Sequence, residues 1–222
     1  EIVPNGGTVL IGGSFTAIGG QTRNRIAEVD ATTAAVTAWN PDANNAVQAI
    51  VVDGSRVFVG GSFTSIAGEV RGRIAVVDAT TGQLEFWNPN ANSIVDAMAL
   101  TGGTLYVGGA FTAIGGESRA YFAGIDPVSG DATAWDARAN NRVYELANVG
   151  PLMYAGGAFT TIGGLARNRL AAIDVATGAP TAWDPNANNE VHDVEIDGDV
   201  VFVAGEFTAV GGLVRNRLAA LD

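Results

Sequence analysis

Apolar and polar positions along the chain alternate in short runs punctuated by Gly, Asn, Asp and Pro, and no segment sustains a 3.6-residue apolar period. Residues 47–52 form an apolar-rich run that stops at the turn pair Asp53-Gly54. Residues 56–61 continue with Val57-Phe58-Val59, so the two runs predict a tight β-hairpin. A third run, 74–77, leads into Asp78-Ala79-Thr80-Thr81-Gly82, a five-residue turn with glycine where a left-handed residue is wanted. The fourth, 84–87, is stopped by Asn88-Pro89, because proline cannot donate to a sheet ladder. The pattern predicts strands almost throughout and next to no helix.

This four-strand pattern repeats. Trp39, Trp87, Trp135 and Trp183 are each 48 residues apart, and so are Phe15, Phe63, Phe111, Phe159 and Phe207 of a Gly-Gly-x-Phe-Thr motif. Only the last copy varies the motif, with Ala204-Gly205 in place of the glycine pair. Asp30, Asp78, Asp126, Asp174 and Asp222 close the units, with no insertion or deletion between copies. Four short antiparallel strands per repeat describe a β-propeller blade. A parallel solenoid is the competitor, but its turns are shorter and rarely hold two tight hairpins. The expected fold is therefore all-β: a single five-bladed β-propeller over residues 1–222, with four-stranded antiparallel blades at about 1–46, 47–94, 95–142, 143–190 and 191–222. Five full units would need 240 residues, 18 more than the chain has, so the last blade is expected to lack its outermost strand. Its open edge at Leu218–Leu221 is expected to be completed by another chain or by a segment of a longer parent.

Composition narrows the chemistry. All 12 basic residues are arginine, there is no cysteine, and His192 is the single histidine. Schiff-base and phosphate-loop lysines, thiol catalysis, disulfide frameworks and multi-histidine metal sites are thereby excluded. A net charge of −11 argues against nucleic acid and anionic membrane as partners, since both are bound through basic patches. Charged residues are only 16% of the chain and hydrophobic ones 47%, which suits a packed domain rather than a disordered tail. No apolar run approaches the length of a membrane span, so no membrane insertion is expected. The chain starts abruptly at Glu1 with no signal peptide, as a mature or excised form does. Absence of cysteine fits secretion and cytosol alike.

Residues 57–68, Val-Phe-Val-Gly-Gly-Ser-Phe-Thr-Ser-Ile-Ala-Gly, followed by Arg71-Gly72-Arg73-Ile74-Ala75, resemble the bacterial delta-60-type β-propeller repeats. The stretch Trp-Asn-Pro-Asn-Ala-Asn at 87–92 is similar to the variant found in secreted actinobacterial surface proteins. The resemblance covers essentially the whole chain. It implies the propeller fold and an extracellular or cell-surface setting, and little about activity.

Most recurring residues read as structure. The tryptophans supply flat area for packing between units rather than a ligand platform. The Gly-Gly pairs lack the strand-to-helix context of a dinucleotide fingerprint, which leaves backbone crowding and special turns as their cause. Nine arginines fall in an Arg-x-Arg motif (Arg23, Arg25, Arg71, Arg73, Arg119, Arg167, Arg169, Arg215, Arg217), broken only by Tyr121. Reuse once per unit points to loop carbonyls or a repeated carboxylate as their partners. The closing aspartates suit turn initiation.

Function is sought where the copies diverge. Near the start of the first strand the equivalent positions read Gln48, Asp96, Tyr144 and His192. Two residues earlier they read Ala46, Ile94, Arg142 and Glu190, and one residue later Ala49, Ala97, Glu145 and Asp193. Four unlike polar side chains at one converging position describe a ligand-binding site at the channel mouth, made by Gln48, Asp96, Tyr144, His192, Arg142 and Glu190, with a rim of Asn44, Asn45, Asn92, Asn140, Asn141, Asn188 and Asn189. Neutral drift at wet positions is the competing explanation. The expected role is a non-catalytic extracellular interaction or structural module with a protein or glycan partner at the channel face. Alternatives are a lectin-like carbohydrate-binding propeller and a glycan-active enzyme using Asp96 with Glu190 or Asp193. His192 and Asp193 point to opposite sides of a strand and make no ready dyad. No cofactor is expected; a structural calcium ion suits Asp and Asn oxygens, but no EF-hand spacing is present.

Overall fold

The computed structural model describes residues 1–222 and is all-β, with no helix. Five three-stranded antiparallel sheets follow one another along the chain. The first holds Ile2–Asn5, Thr8–Gly12 and Ile26–Asp30, and the second Val47–Asp53, Arg56–Gly61 and Ile74–Asp78. Val95–Thr101, Thr104–Gly109 and Phe122–Ile125 make the third; Val143–Val149, Leu152–Gly157 and Leu170–Asp174 make the fourth. Val191–Asp197, Val200–Gly205 and Leu218–Leu221 make the fifth. In each sheet the middle strand is flanked by the other two.

Between the middle and third strands each unit adds a two-stranded ribbon, such as Ser65–Ile66 paired with Glu69–Val70. Two-residue strands leave no alternation to read in a sequence. Their mark is the turn: Ala67 at φ 51 and Gly68 at φ 79 are both left-handed, as a two-residue mirror-image turn requires. The expected fourth strand is reduced to a single bridge, from Val36, Leu84, Ala132 and Pro180 to Val29, Val77, Ile125 and Ile173. In the second unit it makes two backbone bonds, Asp78 N–H to the Gln83 carbonyl and Glu85 N–H to the Val76 carbonyl, before leaving toward the next sheet. In the first four units the first arginine of the Arg-x-Arg motif holds it instead. Arg23, Arg71, Arg119 and Arg167 donate Nη2 to the carbonyls of Thr37, Glu85, Thr133 and Thr181. The second motif position is left-handed in all five copies, at φ between 62 and 67.

Period-2 alternation puts apolar side chains on both faces of every sheet. Val57 and Val59 face backward onto Leu10, Ile26 and Trp39 of the first unit. Phe58, Ile74 and Val76 face forward onto Val95, Leu105, Val107 and Phe111 of the third. Two glycines per unit make this closeness feasible. A Cβ at Gly12, Gly60, Gly108 or Gly156 would lie 2.6–2.9 Å from the valine that opens the next sheet: Val47, Val95, Val143 or Val191. A Cβ at the following glycine, Gly61, Gly109, Gly157 or Gly205, would strike a backbone carbonyl of its own sheet.

Tryptophan locks neighbours together from outside. Trp39, Trp87 and Trp183 donate Nε1–H to the carbonyls of Asp78, Asp126 and Asp222, at 3.0, 3.3 and 2.9 Å, each 39 residues on. Trp135 stands edge-on to Tyr106 and Phe122, with ring centroids 4.7 and 4.8 Å away. The closing aspartates cap their turns, as the Asp30 carboxylate does by accepting from the N–H groups of Thr32 and Thr33. Such bonds hold the carboxyls of Asp30, Asp78, Asp126 and Asp174 below the ordinary carboxylate range.

Because the atom opposing a Cβ at Gly109 is the Ile94 carbonyl oxygen, which no rotamer change can move, Gly109→Ala is expected to cost about 3 kcal/mol. A shift of the urea midpoint to lower concentration, at unchanged slope, checks it.

Candidate functional site

First strands of neighbouring sheets lie side by side, which gathers their starts at one end of the molecule. There the strand pairing slips, between Val47 and Ala49, Val95 and Ala97, Val143 and Glu145, and Val191 and Asp193. Gln48, Asp96, Tyr144 and His192 are therefore the unpaired residues of four β-bulges, and a bulge re-aims its side chain away from the regular pleat.

Those side chains are used on one another. Arg142 makes a bidentate pair with Asp96, Nε to Oδ2 at 2.7 Å and Nη2 to Oδ1 at 2.6 Å. Tyr144 donates its hydroxyl to Glu190 Oε2 at 2.8 Å. Both pairs join a bulge residue to the residue 46 positions on, at the mouth of the next sheet. For Gln48 the corresponding residue is Ile94, and the Gln48 side-chain oxygen is buried with no partner. His192 comes from the last unit and lies 3.5 Å from the exposed Glu206 carboxylate. Its ring leans on Tyr144 at 4.9 Å, and the Arg142 guanidinium covers the Tyr144 ring at 5.1 Å.

Burial pushes the Asp96 carboxyl up, while the Arg142 guanidinium pulls it back. Burial and the Glu190 carboxylate push the Tyr144 phenol up, so it remains a donor. The asparagine rim is structural as well. Asn44 Oδ1 accepts from the N–H groups of Thr64 and Ser65 while its amide donates to Thr64 Oγ1. Asn92, Asn140 and Asn188 repeat this clamp on Thr112, Thr160 and Thr208. Asn45 and Asn141 accept from the next backbone N–H.

One residue further on, Glu145 lines a cavity of about 360 Å³ with Glu1, Asp193, Glu195 and neighbouring backbone. Ala49 and Ala97, at the same register, are packed in the core. Burial drives the Glu145 carboxyl to about 8; the Leu146 N–H works against this, and the carboxylates of Glu1, Asp193 and Glu195 add to it. No group of three or more His, Asp or Glu side chains here has the arrangement to hold a metal ion.

Residues 7–32 match a family model described as a domain of unknown function (DUF5122) β-propeller. The chain has a β-propeller fold. No curated protein matches it. Among solved structures it is similar to the computationally designed Ika8 protein (15% identity, TM-score 0.60), over 99% of this chain and 56% of that one. It is also similar to BamB from Moraxella catarrhalis (16%, 0.56, over 100% and 57%) and to a chain of the Mitotic Checkpoint Complex (15%, 0.63, over 91% and 55%). The propeller thus spans little more than half the length of these three chains, and at such identities the likeness is one of fold.

The six residues chosen by divergence do gather at the propeller mouth, but as two cross-blade pairs plus Gln48 and His192. The signal overlooked in the sequence is the 46-residue offset. Polar Arg142 and Glu190 follow a polar bulge residue in the preceding blade, whereas apolar Ile94 follows Gln48.

Glu145 supplies a pH signature. Its folded-state carboxyl titrates above its unfolded value of 4.5, so folding takes up a proton between the two and stability falls as pH rises through that window. Wild type is expected to lose on the order of 3 kcal/mol between about pH 5 and pH 8 relative to Glu145→Gln, which lacks the group. Urea titrations of both proteins across that range check the difference.

Proposed function

We propose that the chain is a non-catalytic, five-bladed propeller module of the cell surface or extracellular space that binds a protein partner at its channel mouth. The observation that carries this reading is the commitment of the polar mouth to cross-blade bonds. Both Asp96 oxygens are occupied by Arg142 and Glu190 accepts from Tyr144. With both oxygens held by Arg142, Asp96 has none set aside for a substrate, as a carboxyl that moves protons in glycoside cleavage requires. Bonded pairs of this kind give a fixed polar surface of defined charge, which suits recognition by a preorganised partner. One similar solved chain belongs to a multiprotein assembly, the Mitotic Checkpoint Complex. The surface setting rests on the likeness of the Trp-Asn-Pro-Asn-Ala-Asn stretch to secreted repeats.

Carbohydrate binding is the second reading, favoured by the Tyr144–His192 ring pair at the mouth. A photo-crosslinking residue at position 192, presented to the envelope fraction of the source organism, separates the readings. The expected result is one protein adduct, displaced by unlabelled wild type and not by Tyr144→Ala. Glycan-array binding abolished by Tyr144→Ala would establish the lectin instead. Turnover of a chromogenic glycoside abolished by Asp96→Asn would establish the enzyme.

A further inference from the structure

The outer edge of the second and third blades departs from the repeat at positions far from the mouth set. Phe86 stands where the other copies have Ala38, Ala134 and Ala182. Val128, in the closing turn of the third blade, stands where they have Thr32, Thr80 and Ala176. Val70, in the second blade's ribbon, replaces Thr22, Ser118 and Ala166 and is matched only by Val214. All three side chains are at least 79% exposed. A single exposed apolar residue is ordinary, but three that break a repeat at one place mark a surface.

Two arginines bring them together. Arg71 donates Nη1 to the Val70 carbonyl and Nη2 to the Glu85 carbonyl, at 2.8 and 3.2 Å. Arg56 reaches across the blade junction, Nε to the Glu85 carboxylate at 2.9 Å and Nη1 to the Pro127 carbonyl at 2.6 Å. This second clamp is private to one junction. Arg56 is Thr8, Thr104, Leu152 and Val200 in the other units, and Glu85 is Thr37, Thr133 and Thr181. Val70 is itself bonded into this cluster, while Phe86 and Val128 follow Glu85 and Pro127 directly in the chain.

A groove runs beside them. A cavity of about 540 Å³ bordered by Glu69, Leu84 and Phe86 meets one of about 640 Å³ bordered by Asn90, Glu117 and Asp131, and Asn88 and Ser129 line both. Its charge is one-sided. Glu69, Glu117 and Asp131 belong to no ion pair. The groove's one cation, Arg71, is occupied by backbone carbonyls. Asn90 also lacks the partner its counterparts have: Asn24 bonds Asp42 and Asn168 bonds Asn186, but the second unit carries Gly72 at that position.

We propose that this groove docks a segment of a partner protein in which basic side chains neighbour apolar ones. Apolar side chains of the segment cover Val70, Phe86 and Val128, and burial of that surface supplies the affinity. Lysine or arginine side chains meet Glu69, Glu117 and Asp131, which fixes register and speeds encounter. The open Phe86 ring also offers its face to a guanidinium. A neutral glycan would leave the three carboxylates unmatched, and phenylalanine and valine bring no polar tip for its hydroxyls. None of Gln48, Asp96, Arg142, Tyr144, Glu190 and His192 lines the groove, so the proposal does not rest on the mouth as a binding site.

Random dodecapeptides displayed on phage, panned on the full chain and counter-selected on the double variant Phe86→Ala with Val128→Thr, test this. Both substitutions restore residues that other copies carry at the same positions, so the fold should be kept. Enriched sequences are expected to place Lys or Arg beside apolar residues. A synthetic peptide of such a sequence should bind wild type at least about tenfold more tightly than the double variant, or than Glu117→Gln with Asp131→Asn. Added salt should weaken it, and Tyr144→Ala should leave it unchanged. No sequence preferring wild type over the double variant would overturn the proposal, as would enriched peptides that are acidic or uncharged. Loss of binding in Tyr144→Ala would move the contact to the mouth and overturn it too. Glycan-array binding lost in Phe86→Ala would assign the groove to carbohydrate instead.

Discussion

Everything in this molecule depends on how closely one sheet lies on the next. The valine opening each first strand sits where a side chain on the preceding sheet's middle strand would be, so that position must be glycine at all four internal junctions. Removing a Cβ there sacrifices backbone order in the unfolded-to-folded balance. It is offset by burial of Phe58, Ile74, Val95 and their equivalents, at about 25 cal/mol per Å² of apolar surface. Close approach also brings Trp39, Trp87 and Trp183 within reach of a carbonyl on the next blade. The 48-residue period is the sequence trace of this one contact, since a single inserted residue would move valine, glycine and indole out of register together.

The same contact explains why the copies are free to differ only in certain places. Bulges at the strand starts lift four side chains out of the ladder, and set Asp96 and Tyr144 beside the next blade's opening loop. What such a side chain meets is another variable residue, so a change on one blade is matched by a change on its neighbour. An acid with a base, or a phenol with a carboxylate, supplies a charge-assisted bond in a half-buried place. Gln48, with Ile94 opposite, shows the unmatched case, and its oxygen is left unsatisfied. Divergence here is a set of joints that differ from one another, each distinct in charge, which gives the mouth an asymmetric polar surface built on a symmetric scaffold.

Strand order, hairpins, the closing turns and the packing role of tryptophan were legible because each has a local signature: period-2 alternation, Asp-Gly, Asn-Pro, or an Asp followed by Thr. The ribbons were not, since two residues carry no periodicity and the turn that reveals them is shared with ordinary loops. Nor was the weakness of the fourth strand, whose carbonyl goes to an arginine some 14 residues earlier rather than to a ladder. At the mouth, the six candidate positions were found by divergence alone. Their pairing was hidden because bulge geometry, not strand alternation, sets the 46-residue offset. The proton-retaining character of Glu145 was hidden for a related reason: its register is occupied by core alanines in two other blades, and only packing shows that a glutamate there is half-buried among other carboxylates.

The claim that these positions work as matched pairs can be tested by building a third pair. Gln48→Asp with Ile94→Arg reproduces, one blade earlier, the arrangement seen between Asp96 and Arg142. A double-mutant cycle by urea denaturation should give a favourable coupling of about 1–3 kcal/mol between the two substitutions. Additive effects, with no coupling beyond about 0.5 kcal/mol, would contradict the account and leave the divergence as unconstrained drift.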